Sequence, residues 1–351
     1  MTLAATYVLP LRWTQSGAPL DELTAYLARV GGWVDEVLVV DGSPHDRFVE
    51  HAKAWIDLPG VRVLRPDPDL RGRNGKVNGV VTGIRHAGHE PVVIADDDVR
   101  YEEATLARVA GLLDTADAVR PQNYFDPLPW HARLDTGRTL LNRAVGADFP
   151  GTLGVRRSTV LRAGGYDGDV LFENLELLRT VEAVGGTVVA PLDCYVRRLP
   201  PTTEHFLNQR VRQAYDDVTR PAHLAAALSV LPLVARGRWP AAAVLATASA
   251  GLAEVGRRRA GGRAVFPATS SLLAPVWVAE RAVCSWVALA LWATRYGCPY
   301  AGTRFLRAAT PARRLRAERS GVRAERSGVR AERSGGYSAG ATGNEVMSAS
   351  G

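Results

Sequence analysis

Four short apolar runs, at residues 2–10, 36–40, 61–64 and 91–95, alternate with helical patterns at 20–30, 46–57, 75–87 and 102–113. Runs this short and mostly apolar read as buried strands. Strand and helix in alternation predict a mostly parallel α/β sheet with helices on its faces. Ligands of such sheets gather beyond the carboxyl ends of the strands. The opening run has no basic stretch before it and no small-residue cleavage site, so it reads as a buried strand and not a signal peptide.

Polar residues stand at two of those strand ends. The second run passes into Asp41-Gly-Ser-Pro44, a carboxylate on a tight turn that can accept hydrogen bonds from a nucleobase or ribose. Asp-Gly is also a common turn in its own right. The fourth run passes into Asp96-Asp-Asp98. Three adjacent carboxylates repel one another, and Asp96 and Asp98 share a face if the strand continues, so a hard divalent cation, Mn²⁺ or Mg²⁺, fits the pair while leaving positions open for phosphate oxygens. Arg73-Asn-Gly-Lys76 opens the third helical pattern and offers cationic and backbone donors to a diphosphate. It lacks the spacing of a P-loop.

Composition narrows the alternatives. Hydrophobic residues make up 46% and charged residues 23%, which excludes a disordered or fibrous chain. Three cysteines without paired spacing exclude a disulfide scaffold and a cysteine zinc site, and they read as reduced thiols in a cytoplasmic catalytic portion. The net charge of +7 resides mostly in the tail, because residues 311–336 hold eight Arg and three Glu. A nucleic-acid footprint across the fold is therefore not expected. The histidines, His45, His51, His86, His89, His131, His205 and His223, show no ligand spacing and read as surface residues, while burial accounts for Cys284 and Cys298.

The character of the chain changes near residue 221. Residues 222–235 and 241–255 are apolar, separated by Arg236-Gly-Arg-Trp-Pro240 and closed by Arg257-Arg-Arg259; a third apolar stretch at 268–294 is split by Glu280-Arg281. Each of the first two is somewhat short of the ~20 residues that span a bilayer. Buried core helices are one reading. The preferred reading is a membrane hairpin with the third segment lying along the surface or turning back, because a full third crossing would export the Arg-rich tail and place the Glu280-Arg281 pair in mid-bilayer. Trp239, Trp277, Trp286 and Trp292 suit an interface. The predicted division is a catalytic domain at 1–221, a membrane-associated helical region at 222–297, and a tail at 298–351. That tail repeats Arg-Ala-Glu-Arg-Ser-Gly from Arg316, Arg323 and Arg330 with no apolar seam, so disorder is expected.

Together the motifs resemble the family 2 glycosyltransferases of GT-A fold over about residues 3–220. The opening strand and proline appear as Tyr7-Val-Leu-Pro10, the nucleotide-binding strand-end Asp as Asp41, the Gly-Lys segment as Gly75-Lys76 with Asn78, and the metal motif as Asp96-Asp97-Asp98. The acceptor-side segment resembles Gly164-Gly-Tyr-Asp167 followed by Phe172-Glu-Asn-Leu-Glu176. Gln209-Arg-Val-Arg212 is similar to the Gln-x-x-Arg-Trp motif of membrane-attached members, with Gln213 at the Trp position. Downstream, the chain is similar to members that glucosylate ceramide or modify hopanoids.

The resemblance implies an inverting glycosyltransferase taking a nucleotide-sugar donor, expected to be UDP-linked, and a lipid or cell-envelope acceptor. It implies that Asp41, Lys76, Asn78, Asp96 and Gln209 bind the donor, that Asp96 and Asp98 hold Mn²⁺ or Mg²⁺, and that Arg212 offsets the leaving-group charge. The family's base is the Asp of a Glu-Asp pair; here the pair is Glu173-Asn174. A neutral amide does not take a proton at pH 7. Glu173 is therefore the expected base, with Glu176 or a catalytically impaired chain as alternatives. The implied location is the inner (cytoplasmic) membrane with the catalytic domain facing the cytoplasm. A nucleotidyltransferase and a non-catalytic sugar-nucleotide-binding membrane protein remain as other classes.

Overall fold

The structure, a computed structural model, describes residues 2–14 and 19–319. Its core is a seven-stranded sheet of order β3-β2-β1-β4-β8-β6-β9. The first four members are β1 (Leu3–Leu11), β2 (Val34–Asp41), β3 (Val61–Leu64) and β4 (Pro91–Ala95). They pair in parallel. Val37 to Val40 are all buried, as both-face burial of a parallel strand requires. The crossovers are α1 (Leu20–Trp33), α2 (His45–Trp55) and α3 (Gly75–His86). These follow the sequence pattern closely. One glycine is needed for the fit: a Cβ on Gly83 would lie 2.3 Å from Val8 Cγ1, so a methyl there would force α3 off β1.

Past β4 the order is less regular. A short β5 (Val99–Arg100), α4 (Glu103–Leu112), β6 (Ala118–Val119) and β7 (Gln122–Phe125) precede the long α5 (Trp130–Val145). Then β8 (Thr152–Arg156) enters the main sheet antiparallel to β4. It is followed by α6 (Arg157–Arg162), α7 (Glu173–Ala183), β9 (Val188–Val189) and β10 (Tyr195–Arg198). Strands β5, β10 and β7 make a second small sheet. Two short helices, α8 (Thr203–Asn208) and α9 (Arg210–Tyr215), lead through a 3-10 turn at Asp216–Thr219 into the apolar region.

That region is α10 (Pro221–Arg258) and α11 (Ala268–Ala293). Helix α10 is broken at Arg238 (φ 48°, ψ −141°), inside the predicted interruption, and Trp239 beside it is 86% exposed. Both helices pack on α5 through small residues. A Cβ on Gly256 would lie 1.9 Å from the Leu140 carbonyl oxygen, and one on Gly137 3.1 Å from Ala274 Cα. The buried Arg143 ties the layer down, donating to Gln122 Oε1 at 3.2 Å, to Tyr195 Oη at 2.8 Å and to the Arg259 carbonyl at 2.9 Å.

The two paired crossings expected at 222–255 are not supported. Among the described residues one helix, α11, is long and apolar enough to cross a membrane. The two charges at its middle point into the protein: Arg281 pairs with Asp217 at 3.5 Å and Glu280 with Arg210 at 3.6 Å. Outward, the layer exposes Leu233, Val244, Leu272, Val276, Trp286 and Trp292.

The expectation of a tail from residue 298 also needs correction. Residues 298–305 form a strand pair, β11 (Cys298–Tyr300) and β12 (Thr303–Phe305), with Cys298 and Phe305 buried. Their apolar side chains join Leu171, Ala214, Tyr215 and Ala288 in a small core of their own. The backbone then follows the loop before α7: Leu171 N donates to the Arg307 carbonyl and Phe172 N to the Ala308 carbonyl. The expected disorder falls mainly on residues 320–351, outside the described residues.

Candidate active site

The carboxyl ends of β1, β2 and β4 open into a cleft of about 670 Å³, walled on its far side by α7, α9 and α11. Lys76 reaches it from the first turn of α3, where the Asn74 side chain caps the helix by accepting from Lys76 N at 3.2 Å. Its ammonium bridges two carboxylates, lying 2.6 Å from Asp96 Oδ1 and 2.7 Å from Glu173 Oε1. Burial opposes the charge on Lys76, but Asp96 and Glu173 outweigh it and raise the ammonium above its ordinary range. Asn78, one turn along, donates to the Gly72 carbonyl at 2.9 Å and lines the cleft.

Asp96, Asp97 and Asp98 occupy a turn closed by Val99 N donating to the Asp96 carbonyl at 3.0 Å. Arg198, at the end of β10, stands between the outer two: its Nε is 2.8 Å from Asp98 Oδ2 and its Nη2 3.7 Å from Asp96 Oδ2. Asp97 also borders the cleft, and its carboxylate accepts from Trp13 Nε1 at 2.5 Å. Gly151 makes room for the group, since a Cβ there would lie 2.9 Å from Asp96 Oδ2. Burial pushes Asp96 up from the ordinary carboxylate range, against Lys76 and Arg198.

The pair fits a divalent cation. Both residues offer hard oxygens, and Asp98 Oδ1 is buried with no hydrogen-bond partner. Among the described residues no group of three or more His, Cys, Asp and Glu is placed to hold a metal. An ion on Asp96 and Asp98 would therefore complete its shell from elsewhere, as Mg²⁺-type sites do with substrate phosphates.

Glu173 is the first residue of α7 and is buried at the cleft wall. Burial alone would raise its pKa, but Lys76 and Arg212 prevail and hold it below the usual value. That is a poor setting for a base, because a carboxylate held by two cations gives up little on staying charged. Glu176 lies off the cleft and accepts from Thr310 N at 2.6 Å. Asn174 lines the cleft and donates to the Pro150 carbonyl at 2.9 Å, so it braces the loop.

Arg212 comes from α9, with its guanidinium 4.0 Å from the ring centroid of Tyr300. Gln209 lines the same wall in contact with His205. Asp41 departs from expectation: its carboxylate does not line the cleft and is fully buried. One oxygen accepts from Ser43 N at 2.8 Å and the other meets His51 Nδ1 at 2.8 Å, so both are consumed within the fold. His51 and His131, read as surface residues, are buried, while His205 and His223 line the cleft. Arg198, Asp216, Arg281 and Tyr300 also line it and were missed. The available signals were the Arg-Arg pair ending a β run at Arg198 and the Asp-Asp pair four residues after Arg212.

No curated protein matches the chain. Among solved structures, the mannosyltransferase PcManGT from Pyrobaculum calidifontis, solved with GDP-Man and Mn²⁺, is 21% identical over 82% of this chain and 88% of its own, with a TM-score of 0.47. S. aureus TarS 1-349 is 16% identical over 65% of this chain and 66% of its own, with a TM-score of 0.42. The M. tuberculosis glucosyl-3-phosphoglycerate synthase is 19% identical over 57% of this chain and 74% of its own, with a TM-score of 0.37. Residues 19–144, from α1 to the end of α5, match Glycosyl transferase family 2. The chain therefore carries a Glycosyl transferase family 2 domain over residues 19–144, built on a mostly parallel sheet with the Asp96–Asp98 carboxylates at the end of β4.

Proposed function

We propose that this glycosyltransferase moves a sugar, with inversion, from a nucleotide-sugar donor to a hydroxyl of a lipid or cell-envelope acceptor. The observation that carries the reading is the gathering of Lys76, Asp96, Asp98, Arg198 and Arg212 in one cleft at the strand ends. Lys76, Arg198 and Arg212 supply cations for a diphosphate, and Asn78 and Gln209 line the same space. Asp96 and Asp98 would hold Mn²⁺ or Mg²⁺, which when bound neutralises charge on the departing nucleotide. Lys76 is held between Asp96 and Glu173, so an incoming diphosphate competes with those carboxylates for it. Asp41 acts at one remove, holding the turn Gly42–Ser43 whose backbone borders the cleft.

The acceptor assignment rests on the helical layer. Helix α11 contributes Trp277 and Arg281 to the cleft and presents an apolar face outward. A helix whose middle docks on the catalytic cleft is better suited to lie in an interface than to cross a bilayer. We therefore place the enzyme on the cytoplasmic membrane, its catalytic domain, 1–221, facing the cytoplasm and 222–297 at the bilayer. Replacing Leu233 and Trp286, 50% and 44% exposed, with Glu should move the protein from an alkaline-washed membrane pellet into the supernatant. Retention equal to wild type would count against docking by this face.

The reaction is tested by supplying membranes that contain the enzyme with UDP-, GDP- and dTDP-sugars and Mn²⁺ or Mg²⁺. Release of nucleoside diphosphate together with sugar label entering the organic-solvent phase is expected. Label that stays in the aqueous phase on an added water-soluble acceptor would overturn the lipid assignment.

A further inference from the structure

Asn174 stands where the resembling family keeps its base, and Glu173 beside it is bound to Lys76. The cleft holds another carboxylate that neither role has used. Asp216 opens the 3-10 turn between α9 and α10, at the junction of the catalytic domain with the apolar helical layer. It lines the cleft, is only half-buried as a residue, and its Oδ1 is buried without any hydrogen-bond partner. No ion pair within the described residues holds it, although Asp217 beside it pairs with Arg220 and, at 3.5 Å, with Arg281. A carboxylate at the cleft wall with a free oxygen is otherwise costly to keep, since a buried acceptor without a partner forfeits its hydration.

We propose that Asp216 is the catalytic base of this enzyme, accepting the proton of the acceptor hydroxyl. The inference rests on the glycosyl-transfer reading above. As the acceptor oxygen forms its bond to the anomeric carbon, its proton passes to Asp216, and the bond from that carbon to the diphosphate oxygen breaks with both electrons leaving on the nucleotide. Arg212, one turn before Asp216, lines the same cleft and would meet the charge of the departing nucleotide.

The surroundings poise the group. Burial pushes the Asp216 carboxyl up to about 7, opposed by Arg212 and Arg281 and reinforced by Glu173 and Asp217. Cys298 from β11 also faces it. A base of this strength is half charged near neutral pH, the setting in which proton transfer is most effective. Glu173 has the opposite character, held ionised by Lys76 and Arg212. Its part is to fix Lys76, as a positioning residue.

The test is turnover of the full-length enzyme against pH with the donor that it uses, for wild type, Asp216→Asn, Asp216→Glu and Glu173→Gln. Wild-type kcat/KM should fall on the acid side through about pH 7, because protonation removes the base. Asp216→Asn should lower kcat by about 10²–10⁴-fold with donor affinity unchanged and the acid limb gone. Asp216→Glu should restore part of the rate with a displaced limb, and it decides the matter if the Asn variant fails to fold. Glu173→Gln should lower the rate yet keep the limb. An Asp216→Asn or Asp216→Glu enzyme with the wild-type rate and profile overturns the inference and leaves glycosyl transfer standing; a wild type inert with every nucleotide-sugar overturns both.

Discussion

Asp98→Ala is expected to lower sugar transfer by about 10²–10³-fold or more, as loss of one charge-stabilising group in a preorganised site does. Asp98 has two tasks in the cleft. Its Oδ2 orders Arg198 at 2.8 Å, and its Oδ1 is the buried acceptor without a partner. The substitution removes one of two carboxylates available to a cation and releases Arg198 toward Asp96. Asp97→Asn makes the contrast, because that side chain is turned to Trp13 Nε1. Its effect should be much the smaller. Equal losses from the two variants would mean that the turn as a whole, and not the outer pair, carries the function. Donor turnover with each variant, at fixed Mn²⁺, reads the difference.

Ending the chain after residue 297 should abolish turnover and lower the melting temperature, whereas ending it after 319 removes none of the contacts described above. The segment 298–310 looks expendable in sequence but supports the catalytic cleft and its surroundings in three places. Tyr300 supports the Arg212 guanidinium, Phe305 fills a small core, and Thr310 N caps the buried Glu176 at 2.6 Å. The backbone bonds from Leu171 and Phe172 set the loop that delivers Glu173. Tyr300→Ala isolates the first of these and should cost about 0.5–2 kcal/mol of transition-state stabilisation, read as kcat/KM. If the enzyme ending at 297 matched the enzyme ending at 319 in both activity and melting, residues from 298 on would be the dispensable tail that the sequence reading expected.

The parts of this architecture that were legible in the sequence are those written in burial. Strands β1, β2 and β4 lie inside the sheet and carry long buried apolar stretches, β3 at the edge is partly buried, and Val61–Leu64 and Pro91–Ala95 could be read to the residue. The two-residue strands β6 and β9 are too short to show any period. The antiparallel insertion of β8 depends on pairing with β4 that no local pattern records.

The site divides along similar lines. Lys76, Asp96, Asp98, Glu173 and Arg212 line one cleft; the apolar pattern indicated the elements that carry the first three, at the start of α3 and the end of β4, whereas Glu173 and Arg212 were singled out by motif alone. Asp41 has the same local signature whether its carboxylate faces a ligand or a buried imidazole. The partner that decides it, His51, lies ten residues on in α2. Asp216 drew no reading from the sequence, because its surroundings are supplied by Glu173 of α7, Arg281 of α11 and Cys298 of β11. Arg198 is invisible without the second sheet, which brings β10 to the carboxylates from about 100 residues away.

The most direct test of the account is the nucleotide product formed from a donor panel by the wild-type enzyme with Mn²⁺, before and after chelation. The account predicts release of nucleoside diphosphate that stops on chelation and returns when Mn²⁺ is restored, and that is about 10²–10³-fold or more slower from Asp98→Ala. Donor that binds and is never cleaved, or release indifferent to both the chelator and Asp98, would contradict it.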